Sequence, residues 1–539
     1  MAKKETLYKT SMNVGSGIFL KSSVVKKTAG LLVTMLLLSA LMPVLAFAGV
    51  NFGNVTFKNG TVSGSVYVTD SVYTDVYDGK IWITINQSNG VSSVVYATYK
   101  ESVSGVVYYD FKQESVTGAT YVDLTGSYKS IADDVYYDSV TKRVYRSKSS
   151  GGGGIGYIPT GLADINGVVS ASALIDAFKG KTTVEIEITG DVATLPASAL
   201  AEIAKSTTGA TVVIKNKTGS YAIPLSALNY DELAKELGST LANTNITVQI
   251  KALTGDAAKP VTDAIAELGG KSAAPAVDFT VSAVGNNKTV AVKDFGSTYA
   301  VRTINADNAF GKNVTGVLYN PETKKLTFVP ATFADKVATL KSTSNSIYTV
   351  VELDKSFSDV TGTWSEEYVE SMANKLIVEG YETGLFQPNK AISRAEFAAL
   401  VVRALGLSNK TATSNFSDVA AGAWYANAVA VAAEAGIIKG YGDDTFRPTA
   451  EISRKELAAM VVRASEYAGT KLAADTSALA AFKDASGLGW AEAEVSAAVK
   501  AGIVNGLSAS VLAPNGTATR AEAATMLQRF LANAKFINE

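Results

Sequence analysis

The chain has no cysteine and no histidine in 539 residues, and only four tryptophans and eleven prolines. The missing cysteine excludes disulfide scaffolds, thiolate metal sites and a Cys nucleophile. The missing histidine removes Ser-His-Asp triads, imidazole metal sites and the commonest general base. Catalysis here would have to use carboxylates, Lys, Tyr or Ser. An excess of either charge is absent as well: 49 Lys and Arg face 50 Asp and Glu, a net charge of −1. That excludes an overall electrostatic footprint for nucleic acid. Charged residues make up 18%, low for a cytosolic protein, while 47% hydrophobic content suits a folded chain. The length predicts several domains.

Past the N-terminal segment, no other run approaches the length of a membrane span. Residues 1–27 carry Lys3, Lys4, Lys9, Lys21, Lys26 and Lys27 against Glu5. An apolar run from Ala29 to Leu41 follows, then Pro43 and Ala46-Phe47-Ala48. This order of basic, apolar and small-residue segments predicts a secretory signal at 1–48, cleaved after Ala48. The mature chain is expected outside the cell and free of the membrane.

Residues 49–146 hold twelve of the 24 tyrosines, with β-branched and aromatic runs such as Val66-Tyr67-Val68 and Lys80-Ile81-Trp82-Ile83-Thr84-Ile85. Turn residues at short intervals predict an all-β sandwich. A Gly/Ser linker spans 147–159. Residues 160–275 mix period-two runs (Thr183 to Ile188, Asn245 to Ile250) with short helical segments at Pro196 to Lys205 and Tyr230 to Leu237. Asn229 is the expected cap and Gly238 the stop of the second helix. Residues 276–355 read as a β-rich subdomain with a hairpin joined through Asn320 to Lys324. Asp164-Ile165-Asn166-Gly167 opens like a calcium loop, but Val168 and Val169 stand where a ligand and a glycine are needed, so a turn is expected. No cofactor is expected, and calcium-assisted assembly has no motif behind it.

From Phe357 the sequence repeats three times. Phe357-Ser358-Asp359-Val360, Phe416-Ser417-Asp418-Val419 and Phe482-Lys483-Asp484-Ala485 open units that occupy 356–410, 415–470 and 481–535. Each opening leads to Trp364, Trp424 or Trp490; Gly380, Gly440 or Gly506 follows sixteen residues later, and Arg394, Arg454 or Arg520 fourteen after that. Ser393, Ser453 and Thr519, each with a Glu three residues on, are capping boxes that start a second helix in each unit. The tryptophans, phenylalanines and glycines are assigned to packing and turns. An arginine at a helix's positive end suits an anion better than it suits stability, with backbone N–H groups and a guanidinium converging on one carboxylate.

These repeats resemble the S-layer homology (SLH) domains of bacterial surface proteins, on Ile-Ser-Arg-Ala-Glu (392–396), Ile-Ser-Arg-Lys-Glu (452–456) and Ala-Thr-Arg-Ala-Glu (518–522). Residues 180–355 are also similar to the stretch preceding such triplets in Paenibacillus-like surface proteins. The resemblance implies an all-α pseudo-threefold bundle whose grooves bind a secondary cell-wall polymer, linked to peptidoglycan, through a pyruvate-ketal-bearing N-acetylmannosamine. It implies that Arg394, Arg454 and Arg520 pair with the ketal carboxylate and that Asp359, Asp418 and Asp484 accept from sugar hydroxyls. Gly380, Gly440 and Gly506 would let the sugar approach the backbone. The third copy departs from the pattern at Ala485, Leu507 and Leu512 and is the degenerate one.

The expected protein is a non-enzymatic subunit of an S-layer or surface coat on a Gram-positive-type cell wall, able to self-associate. An SLH-anchored adhesin is the alternative. A wall-anchored glycoside hydrolase is disfavoured because three of the four tryptophans lie in the repeats and no motif marks a paired-carboxylate cleft.

Overall fold

A computed structural model describes residues 50–58, 61–69, 76–103, 106–130, 136–138, 142–147, 162–164 and 166–538. The expected signal segment and nearly all of the expected linker lie outside them. The chain divides into two compact units, Met1–Ile158 and Pro159–Glu539, each described here by itself.

In the first unit, alternation in Ile81, Ile83 and Ile85 buries every second residue, as a one-sided strand requires. Its strands are β1 (Asn51–Lys58), β2 (Thr61–Thr69), β3 (Val76–Gln87), β4 (Ser92–Val103), β5 (Val106–Gln113), β6 (Tyr121–Ser130), β7 (Tyr136–Asp138) and β8 (Lys142–Ser147). They pair in the order β3-β4-β5-β2-β1-β8-β6, and β6 returns to β3 from Ile81↔Tyr128 to Gln87↔Val122. The sheet therefore closes on itself. The expected sandwich is replaced by a barrel, because β3 has partners on both sides and closure removes the exposed edges that two open sheets would leave. The core contains Phe57, Val66, Ile83, Phe111 and Leu124.

In the second unit, residues 162–353 form one six-stranded and one eight-stranded sheet with short helices, Lys271–Ser272 and Lys288–Val292 pairing off the main path of the larger sheet. One path runs Ala331–Ala334, Val337–Ser342, Ala300–Asn305, Gly219–Pro224, Thr211–Asn216, Thr183–Glu187. The other runs Val192–Pro196, Asn245–Ala252, Val277–Gly285, Ser346–Glu352, Val314–Asn320, Lys325–Phe328. Strands from before and after residue 275 pair in both, so no sheet boundary coincides with the division expected there. The helices are α1 (Ala171–Phe178), α2 (Ala197–Ser206), α3 (Tyr230–Leu237) and α4 (Lys259–Glu267). Helix α3 has the expected Asn229 cap and stops at Gly238, whose φ of 63° suits glycine. Asp164 Oδ1 accepts from the Asn166 and Val168 amides, which makes the calcium-like tetrapeptide a turn.

The repeats contribute α5 (Glu366–Asn374) and α6 (Arg394–Ala404), α7 (Ala426–Glu434) and α8 (Arg454–Tyr467), and α9 (Glu492–Lys500) and α10 (Arg520–Asn533). All three capping boxes are present. The segments before the second helices bond in a cycle: Ile392 N to Ala518 O, Ile452 N to Ile392 O and Ala518 N to Ile452 O, at 3.1, 3.1 and 2.9 Å. Each repeat thus touches both others, and one apolar core runs through all three. Phe328 from the α+β region enters that core, and Ala331 N donates to Phe536 O at 2.7 Å. The protein is multidomain, with a β-sheet N-terminal region and a helical C-terminal region. Among the described residues, no helix is long and apolar enough to cross a membrane.

Candidate grooves between the repeats

Each second helix meets the preceding loop of the next repeat in the cycle. The Arg394 and Ala395 amides donate to Ala450 O and Pro448 O; Arg454 and Lys455 donate to Gly516 O and Pro514 O; Arg520 and Ala521 donate to Lys390 O and Pro388 O. The first amides of a helix have no partner within it, and here neighbouring carbonyls take them. The expectation that these N–H groups would receive an anion is therefore corrected: the guanidinium is the donor that can reach a groove.

Those guanidinium groups also join repeats. Arg394 Nε donates to Phe446 O at 2.9 Å, Arg454 Nε to Leu512 O at 3.0 Å and Arg520 Nε to Phe386 O at 2.9 Å. Arg394 then pairs with Glu456 at 2.9 Å, and Arg454 with Glu522. Both arginines are nearly enclosed, 5% and 6% exposed. Arg520 lies 4.7 Å over the Tyr381 ring and donates Nη2 to Glu379 O. A cation at a helix start is therefore explained in part by stability, through bonds to carbonyls and carboxylates of the next repeat.

The aspartates hold loops. Asp359 accepts from the Phe386 and Gln387 amides at 2.9 and 2.7 Å, Asp418 from Phe446 and Arg447 at 2.8 and 2.7 Å, and Asp484 from Leu512 and Ala513 at 2.9 and 2.8 Å. Gln387, Arg447 and Ala513 each have φ between 53° and 59°. That conformation costs a non-glycine residue about 1–2 kcal/mol, which the paired carboxylate bonds offset. Each oxygen of each aspartate takes one loop amide in this way, so the geometry gives these carboxylates loop-holding work. The Asp484 carboxyl is held below its ordinary range by the Leu512 and Ala513 amides.

The glycines make room for a ring. A Cβ on Gly380, Gly440 or Gly506 would lie 2.6, 2.4 or 2.5 Å from Cε1 of Phe357, Phe416 or Phe482. Gly380 and Gly440 also line grooves, so their place agrees with the expectation although the immediate steric reason is internal.

Two grooves are well formed. The first brings together Gly380, Tyr381, Glu396, Arg403, Trp424 and Arg520. The second brings together Gly440, Tyr441, Arg394, Glu456, Arg463 and Trp490. Every groove-lining set thus draws on all three repeats. Leu507, one residue after Gly506, stands at the repeat position of Tyr381 and Tyr441 and is 61% exposed.

Two sets of residues differ from the sequence reading. The tryptophans are not packed: Trp364, Trp424 and Trp490 are 63%, 67% and 60% exposed, and two of them wall grooves. Arg403 and Arg463 were not singled out. Their signal is a spacing of seven from Glu396 and Glu456, two helical turns on the same face; Arg529 stands at the same spacing from Glu522.

The S-layer homology domain family matches residues 356–398, 415–458 and 481–524. The chain is 34% identical to an amylopullulanase of Thermoanaerobacterium thermosulfurigenes over 60% of its own length and 16% of that protein. It is 34% identical to the surface-layer 125 kDa protein of Lysinibacillus sphaericus over 33% of its length and 15% of that protein. It is 31% identical to a cellulosome-anchoring protein of Acetivibrio thermocellus over 29% of its length and 35% of that protein. The chain thus spans about a third or less of each of these relatives. The expectation of a chain without enzymatic character does not stand, since the amylopullulanase match is longer than the whole span from 356 to 524. Residues 356–524 contain three S-layer homology domains, and the chain that carries them is a multidomain cell-surface protein.

Proposed function

We propose that the three SLH domains fasten this protein non-covalently to an acidic secondary cell-wall polymer, through grooves at the joints of a pseudo-threefold bundle. The ligand class is a pyruvate-ketal-bearing N-acetylmannosamine unit. Arg520, Arg394 and Arg454 would receive the ketal carboxylate, and the exposed faces of Trp424 and Trp490 would pack on the sugar ring. Asp359, Asp418, Asp484 and the three glycines act through the loops and ring contacts that shape each groove. The observation that carries this reading is the convergence, in one open groove, of an arginine with one unengaged nitrogen and an exposed tryptophan.

The exported chain would then display its β-barrel outward, as a surface-coat subunit able to self-associate. The test is sedimentation of the full chain with purified cell walls. Arg394→Ala, Arg454→Ala and Arg520→Ala combined should abolish co-sedimentation while helix content persists. Undiminished binding by that variant would overturn the reading.

A second reading is favoured by the amylopullulanase similarity: the anchored chain takes part in polysaccharide breakdown at the wall. Release of reducing sugar from starch or pullulan by the full chain would support it.

A further inference from the structure

Each joint between repeats carries an arginine from a second-helix start, and the contacts of Arg520 differ from those of Arg394 and Arg454. In the second groove, Arg394 Nη1 donates to Glu456 Oε1 at 2.9 Å, and Tyr441 Oη donates to the same oxygen at 2.9 Å. Glu456 Oε2 meanwhile holds the Ser453 amide at 2.9 Å, so this one side chain both caps α8 and occupies the arginine. Beside Arg454, Glu522 does the same, with its Oε2 on the Thr519 amide.

The first groove has the equivalent groups without the equivalent contacts. Glu396 Oε2 holds the Ser393 amide at 2.7 Å, as its counterparts do. Among the described residues, however, no carboxylate lies within ion-pair distance of Arg520. Tyr381 Oη, the counterpart of Tyr441 Oη, is buried without a hydrogen-bond partner. Arg520 uses Nε and Nη2 on carbonyl oxygens, which leaves Nη1 unengaged.

We propose that Glu456 and Glu522 are built-in counter-ions that compete with an anionic ligand for Arg394 and Arg454, so that the groove of Arg520 fills first. This rests on the wall-polymer reading above. A ligand carboxylate entering the second groove finds Nε and Nη1 of Arg394 already engaged and the Arg394 charge balanced by Glu456, whose like charge it then faces at close range. In the first groove it meets a guanidinium that, among the described residues, no carboxylate balances. Competition worth one charge-assisted hydrogen bond corresponds to about tenfold or more in affinity. The capping glutamates thereby set an order of occupancy along the polymer.

The test is calorimetric titration of the full chain with a methyl glycoside of pyruvate-ketal-bearing N-acetylmannosamine. The unmodified protein should show one tight site, with any other site at least about tenfold weaker. Glu456→Gln preserves a capping-box residue and should tighten a second site by about tenfold while leaving the first unchanged. Arg520→Gln should remove the tight site. Tyr441→Phe keeps the ring under Arg394 but removes one of the two donors that hold Glu456 Oε1 in place, and should shift the second site in the same direction by less; it decides the matter if Glu456→Gln fails to fold. Equal sites in the unmodified protein, or a second site unmoved in both folded variants, would overturn the inference and leave the wall-polymer reading intact. Absence of any binding would overturn both.

Discussion

Gly440 shows how a residue's role depends on what touches it. A methyl there would meet Phe416 Cε1 at 2.4 Å and Thr445 O at 2.9 Å, the second a backbone atom that cannot swing aside. Gly440→Ala should destabilise the repeats by about 1–3 kcal/mol, as overpacking does, read as a lower midpoint in denaturant. Saccharide affinity of the fraction that stays folded should change little. Unchanged stability with a large loss of affinity would instead return the glycine to a sugar-approach role. Interval counting alone locates this residue and its two counterparts, but ring contact is invisible to it. Arg302 teaches the same lesson in the α+β region: it is fully buried, 4.4 Å over Tyr221 and 4.9 Å over Tyr348, and bonds to the carbonyls of Ala300, Ser342 and Ser344. Nothing in the run Tyr299 to Ile304 announces a buried cation.

Among the elements, the second helices of the repeats were the most legible, because a capping box is a local pattern with a local cause. Their tertiary partners add a pH dependence. Burial pushes the Glu456 carboxyl up, but bonds from the Ser453 hydroxyl and amide and from Tyr441, with the Arg394 charge, outweigh it and hold it below its ordinary value. Asp484 is held low by two loop amides. A carboxyl depressed in the folded state contributes stability above its unfolded pKa and loses it as pH falls through the folded value. Thermal midpoints of the full chain should therefore be nearly level from about pH 7 to 5 and fall below about pH 4.5. A midpoint that rose on acidification would contradict these assignments. The N-terminal strands were legible as strands, yet barrel and sandwich share the same alternation. Which strands pair is a long-range choice that period-two patterning leaves open.

At the scale of the second unit, the repeats and the α+β region are joined by specific contacts. Tyr299 Oη donates to Leu405 O at 2.8 Å, and a Cβ on Gly406 would lie 2.8 Å from Pro330 Cδ. Phe536 and Asn538 close the same joint. Phe536 is 1% exposed and lies 5.2 Å from the Tyr299 ring, and Asn538 exchanges hydrogen bonds with the Phe333 backbone at 2.8 Å in both directions. Removing residues 536–539 should lower stability by about 3–5 kcal/mol, the cost of a lost buried aromatic, and expose the Phe328–Pro330 segment to proteolysis. An unchanged melting temperature and cleavage pattern would show that the tail is passive.

The sequence by itself determined three repeats, their helices and caps, and the positions at which arginine, aspartate and glycine recur. These follow from short-range physics: helix periodicity, capping geometry and intervals preserved through copies. Only the tertiary structure decided which neighbour each side chain meets. It turned the tryptophans outward, satisfied the helix amides with carbonyls of the next repeat, engaged the aspartates in loops and, among the described residues, left Arg520 without the carboxylate that its counterparts hold. Those outcomes depend on contacts between residues from 27 positions apart, such as Asp359 and Phe386, to 134 apart, such as Arg520 and Phe386, and no local pattern encodes them.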